Sequence, residues 1–331
     1  MATTRALAFE PDLDSAVGAA FGTTQLSLVH SDPLVDAFHR QLPLPEACCP
    51  VLAAALRHTL AAPGSLIRMR VAFPMAQAFG VPARAALHAA TAIEYFHTAS
   101  LLLDDLPCMD DASERRGAPC VHRVYGDHEA ILAALALINR AYALAWKAMA
   151  EAEPESAATS ADYLEQMLGL SGVLSGQSRD LNPSPYPGMG QATQVARQKT
   201  VALIRLALVW PARMGGASQD VLTRLERLAQ AWGLAYQAAD DLKDLLQSDE
   251  ASGKTAARDA LLHRPNLAIE LGIGPAFARL ERLLAHGDKV FAHLCRHIPE
   301  LAFLEQLRSG FHHEYSVLRG LCGRTEAEPL A

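Results

Sequence analysis

The sequence predicts an all-α protein on three grounds. Half of its 331 residues are apolar while only 6% are aromatic, with Ala and Leu prominent, which is a helix-bundle composition. Long apolar runs lack helix breakers: neither Gly nor Pro occurs from Ala83 to Leu103, and Pro82 stands where a first helical turn accepts it. No segment alternates convincingly between apolar and polar residues as a half-buried strand does, and no internal repeat is visible. Nothing in the middle reads as a linker, so one domain over residues 1–331 is expected, with residues 1–30 a weakly patterned arm.

From the N-terminus, a first helix is expected from Pro45 to Ala62, where Val51, Leu52, Leu56 and Leu60 fall at helical spacing before Pro63 and Gly64 stop it. Ser65 to Phe79 forms the next, ended by Gly80. Ala83 to Leu103 forms the long one, ended by Pro107. Further helices are expected over Glu129–Glu151, Ser160–Leu181, Ala192–Met214 and Gln219–Leu246, with the Pro/Gly-rich loop Asn182–Gly190 between the second and third of these. The loop Gln247–Thr255 is placed to act as a mobile lid, and the tail is helical again to about Leu321. The most apolar region, Ala130–Ala150, is interrupted by Asn139, Arg140 and Lys147 and reads as a core helix rather than a membrane span.

A net charge of −7 gives no general attraction for nucleic acid or for an anionic membrane. The six cysteines show no CxxC or other metal-type spacing and read as reduced thiols, and the first fifteen residues carry acidic groups but no signal-length apolar core. A cytoplasmic location is the expectation.

Chemistry concentrates at two acidic clusters. HTASLLLDDLPCMDDASERRG, from His97 to Gly117, ends the long helix with Asp104, Asp105, Asp110 and Asp111 and then supplies Arg115 and Arg116. His97 and Asp104 lie on one stripe of that helix, and a short loop after Pro107 can turn Asp110 and Asp111 back towards Asp104. Inside another apolar helix, Gln237, Asp240, Asp241 and Asp244 are spaced i, i+3, i+4, i+7. A carboxylate leaving water costs several kcal/mol unless it is paired, so such clusters are either solvated or hold cations. Two oxygen-rich clusters on separate helices suit Mg²⁺ shared with a phosphate ligand, and Arg115, Arg116, Lys199 and Lys254 are the residue types that clamp phosphate oxygens.

These motifs resemble those of the trans-isoprenyl diphosphate synthases, most of all the geranylgeranyl diphosphate synthases. Asp104, Asp105 and Asp110 match the first aspartate-rich motif, DDxxxxD, followed by RRG at Arg115–Gly117. Asp240, Asp241 and Asp244 match the second, DDxxD, preceded by Gln237. GQSRDL (Gly176–Leu181), the KT pair Lys199 and Thr200, and GKTAARD (Gly253–Asp259) match intervening and following segments, in the right order over roughly residues 60–275.

The resemblance implies an isoprenoid-synthase helix bundle around a central cavity, acting as a homodimer. It implies prenyl transfer from an allylic diphosphate to isopentenyl diphosphate, with three Mg²⁺ ions bound together with the substrate diphosphate. Asp104, Asp105, Asp110, Asp240 and Asp244 would serve the metals, with Asp241 and Lys199 also among the catalytic residues. Arg115, Lys199 and Lys254 would hold the allylic diphosphate, Arg116 and His97 the isopentenyl diphosphate, and Thr200 and Gln237 would line the cation site. Chain length would depend on Ala99 and Ser100, both small, which fits a C20 product.

One stretch departs from the family. Where the family carries GGKRxRP, this chain reads PGSLIRMR, so Ser65 and Leu66 replace a Lys and an Arg of the isopentenyl site; Arg68 aligns and Arg70 is a candidate stand-in. The family's GDALL is also altered, at Ala133–Ile138. A class I terpene cyclase or other coupling enzyme that does not use isopentenyl diphosphate is therefore the first alternative, and a non-catalytic partner subunit the second.

Overall fold

The computed structural model describes residues 32–183, 190–246 and 264–325. Its helices are α1 (Pro33–Arg40), α2 (Pro50–Ala61), α3 (Ile67–Ala78), α4 (Ala83–Asp104), α5 (Val121–Tyr125), α6 (Asp127–Met149), α7 (Pro154–Leu168) and α8 (Val173–Leu181). They continue with α9 (Gln191–Leu208), α10 (Trp210–Met214), α11 (Gln219–Leu246), α12 (Leu267–Leu271), α13 (Ile273–His297), a 3₁₀ turn (Pro299–Leu304) and α14 (Glu305–Thr325). The predicted Ala83–Leu103 and Gln219–Leu246 helices appear nearly to the residue as α4 and α11.

Burial explains the arrangement. In α4 every residue from Ala89 to Ala99 is buried, and its alanines let neighbours approach closely, so this helix is covered on all sides, mainly by α3 and α6. α9 lies between α8 and α11, and α11 packs on α13. The main apolar core runs from Ala37 to Leu318, and a small second cluster of Ala196, Val201 and Leu234 lies between α9 and α11.

Several expected boundaries move, each for a local reason. The Ser160–Leu181 helix is two helices, α7 and α8, because the chain folds tightly at Gly169–Gly172. A Cβ on Gly172 would meet the Met167 carbonyl oxygen at 1.9 Å, so only glycine fits that turn. The Ala192–Met214 helix is likewise divided at Val209, where Pro211 brings no N–H to continue the ladder. The first predicted helix starts at Pro50 rather than Pro45. A two-residue hairpin, β1 (Glu114–Arg115) and β2 (Ala118–Pro119), also forms where no strand was expected. Its central residues Arg116 and Gly117 have φ of 54° and 76°, the twist that two-residue hairpins favour.

α6 buries Ala133, Ala134, Leu137, Ala141, Leu144, Ala145 and Ala148. Its opposite face exposes Ile131, Leu132, Leu135, Tyr142 and Trp146, the last by 67%. By length and composition this helix could cross a membrane, with 44% of its most apolar window buried in the bundle.

Candidate active site

α4 delivers Asp104 at its last turn, and the loop after it doubles back as expected. The Asp110 N–H donates to the Asp104 carbonyl at 2.9 Å and the Ala112 N–H to the Asp105 carbonyl at 3.2 Å. Asp104 Oδ1 accepts from Gln177 Nε2 at 2.7 Å, while Oδ2 lies 3.8 Å from Lys199 Nζ. Lys199 in turn donates to Asp180 Oδ2 at 2.8 Å. Burial pushes the Asp104 carboxyl up to about 6; Lys199 opposes this, and the charges of Asp110 and Asp180 add to it. Burial alone would lower the Lys199 ammonium, but Asp104 and Asp180 hold it above its usual range. Close contact between α8 and α9 makes this cluster possible: a Cβ on Gly176 would sit 2.5 Å from the Lys199 backbone nitrogen.

Asp105 and Asp110 each meet an arginine. Arg115, placed by the hairpin, donates to Asp105 Oδ1 from Nε at 2.8 Å and from Nη2 at 2.5 Å. The buried Cys120 thiol lies against the same carboxylate and is pushed up to about 12, first by burial and then by that charge. Arg264 donates to Asp110 Oδ1 at 3.0 Å, to the Asp180 carbonyl at 2.9 Å and to the Met109 carbonyl at 3.3 Å. Asp111, expected to turn back towards Asp104 with Asp110, instead turns outward: its φ of 47° directs the side chain to the surface, where it pairs with Arg123 at 2.6 Å.

The second cluster divides. Asp240 is exposed and Asp244 partly so, one turn apart on α11. Asp241, expected among the catalytic carboxylates, instead turns into the fold. It is buried, accepts from Gln237 Nε2 at 2.8 Å and from the Leu267 N–H at 2.7 Å, and so pins the start of α12. Gln237 Oε1 also accepts from Thr200 at 2.6 Å. Adjacent residues of α9, Lys199 and Thr200, thus reach the first and second clusters respectively.

A cationic cluster surrounds an earlier turn of α4. His97 is 5% exposed and neither ring nitrogen has a partner; burial, and then the charges of Arg68, Arg116 and Arg115, hold the imidazole well below its usual range and therefore neutral. Arg68 Nε and Nη1 are likewise buried without a partner. Arg116 donates to the Pro63 carbonyl at 2.8 Å. Arg70 is not available as a stand-in: its Nε donates to the Ser65 carbonyl at 2.9 Å and its guanidinium pairs with Asp32. Leu66, 1% exposed with φ of 52°, is buried in the core at the start of α3. Ala99 is buried, and Ser100 donates to the His97 carbonyl at 2.8 Å.

Lys254, with the rest of GKTAARD and the expected lid, lies outside the described residues. Three residues that sequence reasoning did not assign stand in the cluster: Gln177 and Asp180, both inside the GQSRDL motif, and Arg264, which no local pattern marks. Glu94, one turn before His97, is also buried and accepts the Met69 N–H at 3.0 Å.

Among the described residues, no three His, Cys, Asp or Glu side chains converge closely enough to hold an ion alone. The donor set is nevertheless all oxygen, and Asp104 is a carboxylate raised chiefly by its burial, a cost that a bound cation would offset. Both fit a hard divalent cation of the Mg²⁺ type, which is typically held by one or two carboxylates together with ligand phosphates.

An all-α bundle with one carboxylate cluster at the end of α4, a second near the end of α11, and a cationic cluster beside α4 is of the isoprenoid synthase class. The polyprenyl synthetase family model matches residues 49–290, and the chain belongs to that family. It is 36% identical over 219 residues to geranylgeranyl pyrophosphate synthase 12 of Arabidopsis thaliana, covering 63% of this chain and 60% of that one, so it spans under two thirds of that relative's length. Among solved structures it resembles an FPP/GFPP synthase from Zymomonas mobilis, with a TM-score of 0.70, 30% identity, and coverage of 83% of this chain and 93% of that one. A Helicobacter pylori geranyltransferase, solved with magnesium and isoprenyl diphosphate, shares the fold at a TM-score of 0.69 and 23% identity, over 88% of this chain and 100% of that one.

Proposed function

We propose that this protein is a Mg²⁺-dependent prenyltransferase that joins an allylic diphosphate to isopentenyl diphosphate and makes geranylgeranyl diphosphate. The observation that carries this reading is the pair of anion-handling poles on α4. Asp104 anchors an acidic pole suited to a metal-bound diphosphate. Seven residues earlier, about 10 Å along the axis, His97 lies beside Arg68 and Arg116, and His97 and Arg68 keep buried nitrogens without a partner among the described residues. Two diphosphates need two such poles. A cyclase that only ionises an allylic diphosphate would need the first alone, and a non-catalytic partner has no use for buried carboxylates.

In this reading Asp104, Asp105, Asp110, Asp240 and Asp244 hold the metals, which supply electrostatic stabilisation of the departing diphosphate. Lys199, Arg115 and Arg264, with Lys254, hold the same diphosphate. Each of the three described cations now rests on a carboxylate of the site, and exchanging that partner for phosphate frees the carboxylate for a cation. His97, as a neutral donor, and Arg68 and Arg116 hold isopentenyl diphosphate. The allylic C–O bond breaks, a C–C bond forms to the isopentenyl double bond, and a proton leaves, so that the chain grows by five carbons. Thr200 and Gln237 present oxygen dipoles near the cation.

Ala99 and Ser100 are small and place little bulk beneath Asp104. Phe96, edge-on to Tyr142 with ring centroids 4.9 Å apart, closes the same stripe about 12 Å below Asp104, a floor compatible with a C20 product. The exposed apolar face of α6 supports a homodimer with that face covered.

Mass spectrometry of products formed with Mg²⁺ and dimethylallyl, geranyl or farnesyl diphosphate, with and without isopentenyl diphosphate, tests the reading. A C20 diphosphate that appears only with isopentenyl diphosphate supports it. A hydrocarbon or alcohol released without isopentenyl diphosphate replaces it with the cyclase.

A further inference from the structure

Gln177 stands at the contact between α8 and the first acidic motif. Its amide nitrogen donates to Asp104 Oδ1 at 2.7 Å and lies 3.5 Å from Met109 Sδ. Which end of the amide faces Asp104 follows from chemistry, because an ionised carboxylate can only accept. The other end, the carbonyl oxygen, is buried and has no partner among the described residues, a condition that folded proteins rarely keep without a use. One turn on, Asp180 receives Lys199, which also approaches the second oxygen of Asp104. The two oxygens of Asp104 therefore differ: Oδ1 is held by a neutral donor at 2.7 Å, and Oδ2 faces an ammonium 3.8 Å away that is already bonded to Asp180.

We infer that Gln177 is a positioning residue for the metal. It fixes Asp104 through Oδ1 so that Oδ2 is the ligand oxygen, and its carbonyl is the acceptor left for a hydrated cation. This rests on the reading of Asp104 as a metal ligand. A small divalent cation of this type keeps several of its waters, each a strong donor, so a neutral acceptor beside the ligating carboxylate is completed only when the metal arrives. The KT and DDxxD segments leave this task unfilled, since Thr200, Gln237 and Asp241 satisfy one another.

The test is Mn²⁺ binding followed by electron paramagnetic resonance with inorganic pyrophosphate present, in wild type, Gln177→Met, Gln177→Asn and Asp104→Asn. Gln177→Met keeps the volume but neither donor nor acceptor, and Gln177→Asn is one methylene too short to reach Asp104. Both are expected to raise the Mn²⁺ dissociation constant about 10–100-fold. A merely structural role would lower the metal-free melting temperature and leave that constant unmoved. Binding within twofold of wild type in the Gln177 variants, while Asp104→Asn loses the metal, overturns the inference and spares the metal reading. Wild-type binding in Asp104→Asn as well overturns both. If Gln177→Met does not fold, Gln177→Asn decides.

Discussion

Asp104 carries a conflict between folding and function that can be measured. Its carboxyl, pushed up to about 6 by burial, takes up a proton in the folded chain at pH values where the unfolded chain has already released it. Stability contributed by this group is therefore present in the protonated form and falls as pH rises from about 4 to 6; above that window the ionised group destabilises the metal-free fold by an amount on the order of 3 kcal/mol. Asp104→Asn should raise the metal-free melting temperature at pH 7 to 8 while lowering turnover by roughly 100-fold or more. Thermal melts across pH 4 to 8 with and without the substitution decide this, and a lower melting temperature for the variant at pH 8 refutes it. Arg264 makes a complementary case. Removing its charged hydrogen bonds, at about 1.5–3 kcal/mol each, predicts that Arg264→Ala lowers kcat/KM for the allylic diphosphate by about 10–100-fold. The KM for isopentenyl diphosphate should stay near wild type, and an equal loss for both substrates would remove Arg264 from the allylic site.

On the proposed reading, single helices set how far the growing tail can extend. α4 is a ruler because its residues advance about 1.5 Å each, so Phe96, Ser100 and Asp104, one turn apart on one stripe, mark successive depths. α6 supplies Tyr142 edge-on to Phe96, and on the proposed reading this pair stops the growing tail at that depth. Phe96→Ala should open that floor and shift products beyond C20, with little change in the initial rate of the first condensation. Chain-length analysis of the radiolabelled products would show it, and an unchanged product would place the floor elsewhere. α8 and α9 illustrate the same point for charge: Gly176 brings their backbones together, and without that approach Lys199 would not reach Asp104 and Asp180 at once.

At the scale of the whole molecule, the outward face of α6 is the feature the single chain leaves unexplained. Exposed Ile131, Leu135, Tyr142 and Trp146 lie on a helix whose inner face already packs on α4. A second copy would cover the outer face, and it would also brace the helix that carries Tyr142 behind the cavity. Trp146→Glu should weaken self-association by at least about 30-fold, as expected for a buried aromatic anchor, with a parallel loss of thermal stability. Sedimentation velocity over a dilution series measures it; a wild-type protein that is monomeric at micromolar concentration refutes the prediction.

The sequence by itself determined the helical class, the extents of α4 and α11, and the residue types of the site, because helical periodicity, chain breakers and paired carboxylates are local signals. It placed Asp104 beside Asp110 for the same reason, since six residues and a proline allow little else. It did not divide the Ser160–Leu181 helix, because the steric demand at Gly172 comes from the chain folded back on it. It grouped Asp241 with Asp240 and Asp244, and only the arrival of Leu267 from beyond the acidic helix shows that this carboxylate serves the fold. Arg264 was invisible in the same way, since a lone arginine gains meaning only from the Asp110 and Asp180 it meets across 154 and 84 residues. Arg70 looked like a replacement cation until the structure gave it to Asp32 and Ser65. Local pattern thus fixed which groups are present, and tertiary packing decided which of them face one another, because contacts between distant segments depend on close approach of backbones that no single stretch encodes.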